Sequence, residues 1–438
     1  MFDILPLLYC LSNYITDTTT RQMSIIITAM LAMSGRMTML GISRWAGKGG
    51  SYRTVQRFFA TQLPWARLFW EFFRHHCWRV QDTYLLVGDE VVVSKAGKET
   101  HGVGRFFSSL YDHPISGLAF FSLALVSIEE RKAFPISLEK VISNPLTSEA
   151  IRPSSTPKQK RGRPQGSKNK DKTQVTLTPE LLRIKGMIIA LLALLRGLIP
   201  LSYLVLDGHF GNNHALQMSQ QVGLFLISKL RHDSKLYLPY SGSDKKCKYG
   251  ARLNPQQIGN THLVHSSIED GIQTDVYQVQ ALHQKFSQPL NIVILLKTKL
   301  NTQAKAHVIL FSNHLELSYQ KLIDYYSLRF QIEFNFRDAK QFWGLEDFMQ
   351  TSEVGVTNAA NLSLFMVSLS LRLLQDFRHT NQDLSILDLK AGFRGFKYVQ
   401  EVLKLLPQKP DPILLASIFS KVANLGAIHP IPSFADTL

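Results

Sequence analysis

The sequence predicts an α/β fold, one open mixed sheet covered by helices and preceded by a helical N-terminal region. Three observations carry this. The chain has 438 residues, 45% apolar and 19% charged, which is enough to fold as two to four domains and too apolar for a disordered chain. Apolar residues recur at three and four spacing up to about residue 80, then change from Tyr84 to short continuous runs. From there strands, helix, strand, helix, strand and finally helices follow one another, an order that builds a sheet with helical cover.

The first helices are expected over 23–40 and 55–73. Between them Arg44-Trp45-Ala46 runs into Gly47-Lys48-Gly49-Gly50, after which Ser51 can cap a helix bearing Tyr52, Arg53, Thr54, Gln56 and Arg57. A helix-turn-helix with its second helix in a major groove and a plain helical hairpin with a solvated basic face both satisfy this pattern. Residues 84–87 form a short apolar run, suited to a strand buried on both faces, that ends in Gly88-Asp89-Glu90. A strand is expected over 117–128, a helix over 179–195, and a strand over 201–206 that ends in Asp207-Gly208. A helix over 213–221 and a strand over 224–230 come next. The stretch 231–312 is mixed, polar and strand-rich, with 291–296 and 307–311 its clearest strands, and helices resume over 319–343 and 358–377.

Lys plus Arg number 49 against 33 Asp plus Glu, a net charge of +16, so a polyanionic partner is expected, with nucleic acid foremost. Residues 152–174 hold eight Lys or Arg and one acid, Asp171, and so supply +7 of that charge. This reads as a flexible basic loop. Its Arg161-Gly162-Arg163-Pro164 is extended and narrow enough for an A·T-rich minor groove, though an ordinary solvated loop has the same composition. Three scattered cysteines, Cys10, Cys77 and Cys247, make neither a disulfide framework nor a zinc site and suit a cytoplasmic chain. The longest clean apolar run, 187–195, is nine residues and is stopped by Arg196, far short of the ~20 that a membrane span takes. With Asp3 and no basic residue before the first apolar stretch, a secretory signal is not expected.

Chemistry is suggested by Asp89 and Asp207, each placed at the end of an apolar strand, where ligand sites of open α/β sheets form. Either one alone is also what a turn after a strand looks like. In the helix expected over 319–343, Tyr326, Arg329, Glu333 and Lys340 fall at offsets of zero, three, seven and fourteen, confined to an arc of roughly 60°. Leu328, Ile332, Phe336 and Ala339 occupy a separate, core-facing stripe. A salt-bridged exposed helix explains Arg329 with Glu333 as an i, i+4 pair, but not the other two.

Tyr-x2-Arg-x3-Glu-x6-Lys, ordered after Leu-Val-Gly-Asp89 and Val-Leu-Asp207-Gly-His-Phe, resembles the DDE transposases of bacterial insertion sequences, in particular the Y-R-E-K signature family of the IS-four type. The likeness covers roughly 80–380. It implies a ribonuclease-H-like core with a β-rich insertion between the second and third acids. The chain then divides into a helical DNA-binding part over 1–80, a first part of the core over 81–230, the insertion over 231–312, core completion with the signature helix over 313–380, and a C-terminal region over 381–438. Glu90 after the first Asp, and Phe330 after Arg329, depart from what is frequent in relatives. Some relatives stack a flipped base on a Trp of the insertion, but no Trp lies between 79 and 342 here, and Tyr237 or Tyr240 is the expected substitute.

The resemblance implies that Asp89, Asp207 and Glu333 hold Mg2+, with Mn2+ as a substitute, and that Tyr326, Arg329 and Lys340 contact the DNA backbone beside Arg161 and Arg163. Carboxylates suit hard divalent cations, and two such ions ~3.5–4 Å apart drive in-line phosphoryl displacement. His209 either supports the carboxylates or packs in its turn. The expected activity is cleavage of the ends of a mobile element and joining of the 3′-hydroxyls to target DNA, by at least a dimer, in the cytoplasm and without a membrane. A nuclease of the same fold without strand transfer, and a non-catalytic DNA-binding regulator, are the rivals.

Overall fold

A computed structural model describes residues 4–108, 111–142, 171–244, 247–378, 383–408 and 410–429. The helices are α1 (Leu5–Leu8), α2 (Asp17–Ala32), α3 (Met39–Ala46), α4 (Tyr52–Ala60), α5 (Trp65–His76), α6 (Pro179–Leu195), α7 (Asn213–Gln221), α8 (Tyr319–Leu328), α9 (Gln331–Trp343), α10 (Glu353–Arg378), α11 (Ile386–Leu403) and α12 (Pro412–Ala423). The strands are β1 (Tyr84–Ser94), β2 (Gly104–Ser108), β3 (His113–Ser127), β4 (Lys132–Val141), β5 (Tyr203–Val205), β6 (Phe225–Leu230), β7 (Leu236–Pro239), β8 (Tyr249–Leu253), β9 (Leu263–Glu269), β10 (Ile272–His283), β11 (Leu290–Lys299) and β12 (Lys305–Ser312).

Among the described residues these strands form one twelve-stranded mixed sheet in the order β2-β3-β1-β5-β6-β12-β11-β10-β7-β8, with β4 also on β3 and β9 also on β10. The β1–β5 and β5–β6 pairs are parallel, because α6 and α7 supply crossovers before β5 and β6. The β-rich stretch is continuous with the core sheet, joined to it where β12 pairs with β6. An α/β architecture of this kind, a large mixed sheet flanked by helices, fits the ribonuclease-H-like fold class.

Local chemistry sets the element ends. Thr178 and Asn212 accept hydrogen bonds from Leu181 N and Ala215 N, and Pro179 starts α6 at no cost in donors, so α6 and α7 fall where the sequence places them. Ser51 caps α4 as expected. The helix expected over 23–40 ends instead at Ala32, since Met33 is extended and Gly35 has φ +79°, and a new helix starts under the Thr38 cap. The helix expected over 55–73 breaks after Ala60, where Thr61 is extended, and α5 starts at Trp65 with Pro64 at its N-cap.

An aromatic seam fixes the N-terminal helices. Trp65, Phe69 and Phe72 of α5 surround Phe365 of α10 at centroid distances of 6.2, 5.9 and 4.9 Å. Asn358 of α10 accepts from Trp65 Nε1 at 2.7 Å and donates to the Phe59 and Thr61 carbonyls, satisfying the end of α4. Two basic residues of α11 close the end of α2: Lys390 Nζ donates to the Met30 carbonyl at 2.7 Å and Arg394 Nε to that of Ala32 at 3.1 Å. By length and apolarity α10 is the one described helix that could cross a membrane, yet 83% of its apolar stretch is buried inside the protein.

Candidate active site

Strand β1 does not stop at Asp89. It continues to Ser94 because β3 pairs with it along its whole length, Tyr84 opposite Ser127 through Ser94 opposite Gly117. Asp89 is therefore in mid-strand, correcting the expectation of a strand end. What ends there is the partner: β5 pairs with β1 only at Leu86↔Leu204 and Val87↔Val205. Asp207 lies two residues beyond the last paired residue of β5, as Asp89 lies two beyond Val87 on β1, and both line the same cleft. Gly88, the residue before Asp89, leaves room for the side chains packed over it, because a Cβ there would lie 2.8 Å from the Phe121 ring and 2.9 Å from the Leu206 side chain. Asp207 caps a single 3-10 turn, Gly208–Phe210, accepting from His209 N at 3.1 Å, while its carbonyl accepts from Ser228 Oγ at 2.6 Å.

The helix expected over 319–343 is two. Arg329 and Phe330 remain in the right-handed region, but Arg329 N, Phe330 N and Glu333 N bond to carbonyls three residues back, and this tighter winding separates α8 from α9. The stripe of Leu328, Ile332, Phe336 and Ala339 is buried as expected. The opposite side sends Arg329 into the site. Its Nη1 donates to Asp89 Oδ2, 240 residues away in sequence, at 2.6 Å and its Nη2 to Glu333 Oε1 at 2.9 Å, so one guanidinium bridges two carboxylates from distant segments. Its Nε is buried without a hydrogen-bond partner. Tyr326 stands behind it, 6.0 Å from ring centroid to Arg329 Cζ. Lys340 Nζ donates to the Val92 carbonyl at 2.8 Å and pairs with Glu346 at 3.2 Å, which pins α9 to β1.

Asp89, Asp207, Arg329, Glu333 and Lys340 thus line one cleft of about 1000 Å³. Burial pushes the Asp89 carboxyl up to about 6; Arg329 and the Glu90 N–H pull against this, and the charges of Asp207 and Glu333 add to it. Burial likewise raises the Tyr326 phenol. The donor set is oxygen only, which suits a hard divalent cation. Among the described residues no three His, Cys, Asp or Glu side chains form a metal cage as they stand, and Arg329 pairs with both Asp89 and Glu333.

Residues 10–267, more than half of the chain, match the DDE superfamily endonucleases. The chain belongs to this family. Residues 187–369 of this DDE endonuclease also match the transposase DDE domain. A search of curated proteins finds no significant match. Family membership implies a nuclease-type enzyme that acts on DNA with divalent metal ions, and it supports a DDE transposase.

In this DDE endonuclease the cleft also holds groups that sequence reasoning passed over. Glu180, in the first turn of α6, reaches the rim and pairs with His209 at 3.6 Å. The hydrogen bond between them raises the His209 imidazole and lowers the Glu180 carboxyl. His209 is accordingly exposed on the rim and not packed in its turn. Phe107 and Tyr111 of the β2–β3 hairpin line the cleft as well. No periodic pattern marks that hairpin, so only the folded sheet reveals it. Tyr237 packs edge-on against Tyr249 and accepts from Gln284; neither it nor Tyr240 is among the cleft residues. Arg161 and Arg163 lie outside the described residues.

Proposed function

We propose that this chain is a transposase of the Y-R-E-K type that cleaves the ends of its mobile element and joins the freed 3′-hydroxyls to target DNA. The observation carrying this is the convergence of Asp89, Asp207 and Glu333, from a strand, the turn after a second strand and a helix, on one cleft that also receives Arg329 and Lys340. Asp89, Asp207 and Glu333 are the residues that would hold Mg2+ or Mn2+. When bound, such ions supply activation of the attacking oxygen and stabilisation of the leaving oxygen. Arg329 neutralises Asp89 and Glu333 in the DNA-free chain and, with Tyr326 and Lys340, turns to the DNA backbone on binding. In this reading 1–80 is the helical DNA-contacting part, 81–230 and 313–380 the catalytic core, 231–312 the insertion and 381–438 a C-terminal region. Arg161 and Arg163 add phosphate contacts, and paired ends engage at least two copies.

The test begins with the DNA flanking the gene, where inverted repeats would supply the substrate. On that DNA with Mg2+, the expected products are cut ends joined to a target plasmid, lost in chelator and in Glu333→Ala. Cut but unjoined ends would identify a nuclease, and binding with no turnover a regulator. Arg161→Ala with Arg163→Ala should flatten the salt dependence of binding by roughly one phosphate contact per charge.

A further inference from the structure

The cleft has an apolar wall that the carboxylates do not use. Phe107 is 59% exposed and Tyr111 55%, and with Ile115 both line the same cleft as Asp89, Asp207 and Glu333. Water-facing aromatic rings of this size beside a cluster of charges gain nothing for folding. The hairpin that carries them is nevertheless held. β2 pairs with β3 from Gly104↔Gly117 to Ser108↔His113, and Phe106 is buried on the opposite face of the strand. Tyr111 N donates to the Ser108 carbonyl, and the Tyr111 carbonyl lies 2.6 Å from His113 Nδ1. Strand alternation sets Arg105, which donates to the Pro114 carbonyl, on the same exposed side as Phe107.

We propose that Phe107 and Tyr111 form a stacking platform for unpaired nucleobases of the DNA strand whose phosphate lies at the carboxylates. An aromatic face recognises a base only when the base face is free, because a duplex buries both faces of each internal pair. A paired duplex would be met by cations alone. Two rings on one hairpin beside a phosphate-processing cleft therefore select unpaired strands and locally opened DNA over paired duplex, with little regard to sequence. This assigns to the β2–β3 hairpin the role expected of Tyr237 or Tyr240.

The inference rests on the DNA-processing reading of the cleft, and its test reads binding alone. Full-length protein in chelator is titrated into fluorescein-labelled oligo(dT) and into a blunt duplex of equal length. Phe107→Ala and Tyr111→Ala are each expected to weaken oligo(dT) binding roughly 5- to 100-fold and to leave duplex binding unchanged. Tyr111→Trp should restore or tighten it. Both side chains are exposed, so melting should not move, and any variant that melts early is replaced by Phe107→Leu or Tyr111→Leu, which keep bulk without an aromatic face. Equal losses on both DNAs, a loss only in Tyr237→Ala or Tyr240→Ala, or a change in oligomeric state with intact oligo(dT) binding would each overturn the platform. If instead Glu333→Ala still cleaves, the catalytic reading fails while this result stands.

Discussion

Asp89 and Asp388 are the same residue in opposite circumstances. Asp388 in the first turn of α11 accepts from Ser385 N and Oγ at 2.9 and 2.7 Å and from Ile428 N and His429 N at 2.6 and 3.1 Å. Burial works to raise its carboxyl, but these donors outweigh burial and hold it at about 2. Asp89 has the Glu90 N–H and one guanidinium, faces two like charges, and sits at about 6. A buried carboxylate supplied with four donors is a fastener for the chain. One left short of donors beside other carboxylates has the environment of a functional group, in keeping with the cation-holding role proposed for Asp89.

The largest contrast should come from removing each carboxylate. Asp89→Ala, Asp207→Ala or Glu333→Ala is expected to lower Mg2+-dependent cleavage by roughly three orders of magnitude or more, on the order of 4 kcal/mol of barrier, with DNA binding and melting largely kept. Asp388→Ala should do the reverse, costing about 2–4 kcal/mol of stability in urea titration while sparing activity per folded molecule. If Asp89→Ala unfolds the protein and Asp388→Ala does not, the contrast is wrong.

Next in size is the guanidinium itself. Arg329→Ala removes a competitor for the oxygens of Asp89 and Glu333, so Mn2+ binding to DNA-free protein, read by calorimetry, should tighten several-fold while cleavage falls. Unchanged Mn2+ affinity would mean that Arg329 does not compete with the ion.

The two aspartates should also part company with pH. Asp89 titrates above the ordinary carboxylate value of ~3.9, so the folded protein loses stability as pH rises from there to about 6, and divalent-ion binding strengthens over the same range as the proton leaves. Asp388 titrates below it. Its contribution is complete above ~4 and disappears as pH falls toward 2, so the melting difference between wild type and Asp388→Asn should shrink there. Metal binding that is flat across pH 5–7 would remove the proton competition.

The smallest effect is expected for Lys340→Ala. Loss of the Val92 hydrogen bond and a partly exposed pair with Glu346 should cost about 1 kcal/mol in stability, while the salt slope of DNA binding falls by about one. Melting that falls in step with DNA binding would make Lys340 a purely structural clamp.

What was legible in the sequence follows from the range of the interactions responsible. Thr178-Pro179 and Asn212 act on their own helices, so α6 and α7 could be read locally. The resemblance also singled out Asp89, Asp207, Tyr326, Arg329, Glu333 and Lys340; the fold brings all of these but Tyr326, which lies behind Arg329, to the lining of one cleft. The extension of β1 past Asp89 depends on β3, and the bond from Arg329 to Asp89 spans 240 residues, so neither could be read from a window of sequence. The split between α8 and α9 was hidden for another reason, since Arg329 and Phe330 keep right-handed dihedrals and only the hydrogen-bond partners shift. Asp388 was invisible because two of its donors lie 40 and 41 residues downstream.

The pairing of β6 with both β5 and β12 sets a limit on dissection of the molecule. Deleting 231–312 would strip β6 along the side where Ile227 to Leu230 now meet Ser312 to Ile309, leaving a bare row of amide and carbonyl groups along a strand whose Leu226 and Ile227 are fully buried. Such an edge invites a second chain to add its own strand, and aggregation is the expected fate of the shortened protein. The strand-rich segment therefore works as a seal as well as an appendage: whatever else it contributes, the cleft-bearing half cannot be prepared soluble without it or a replacement strand.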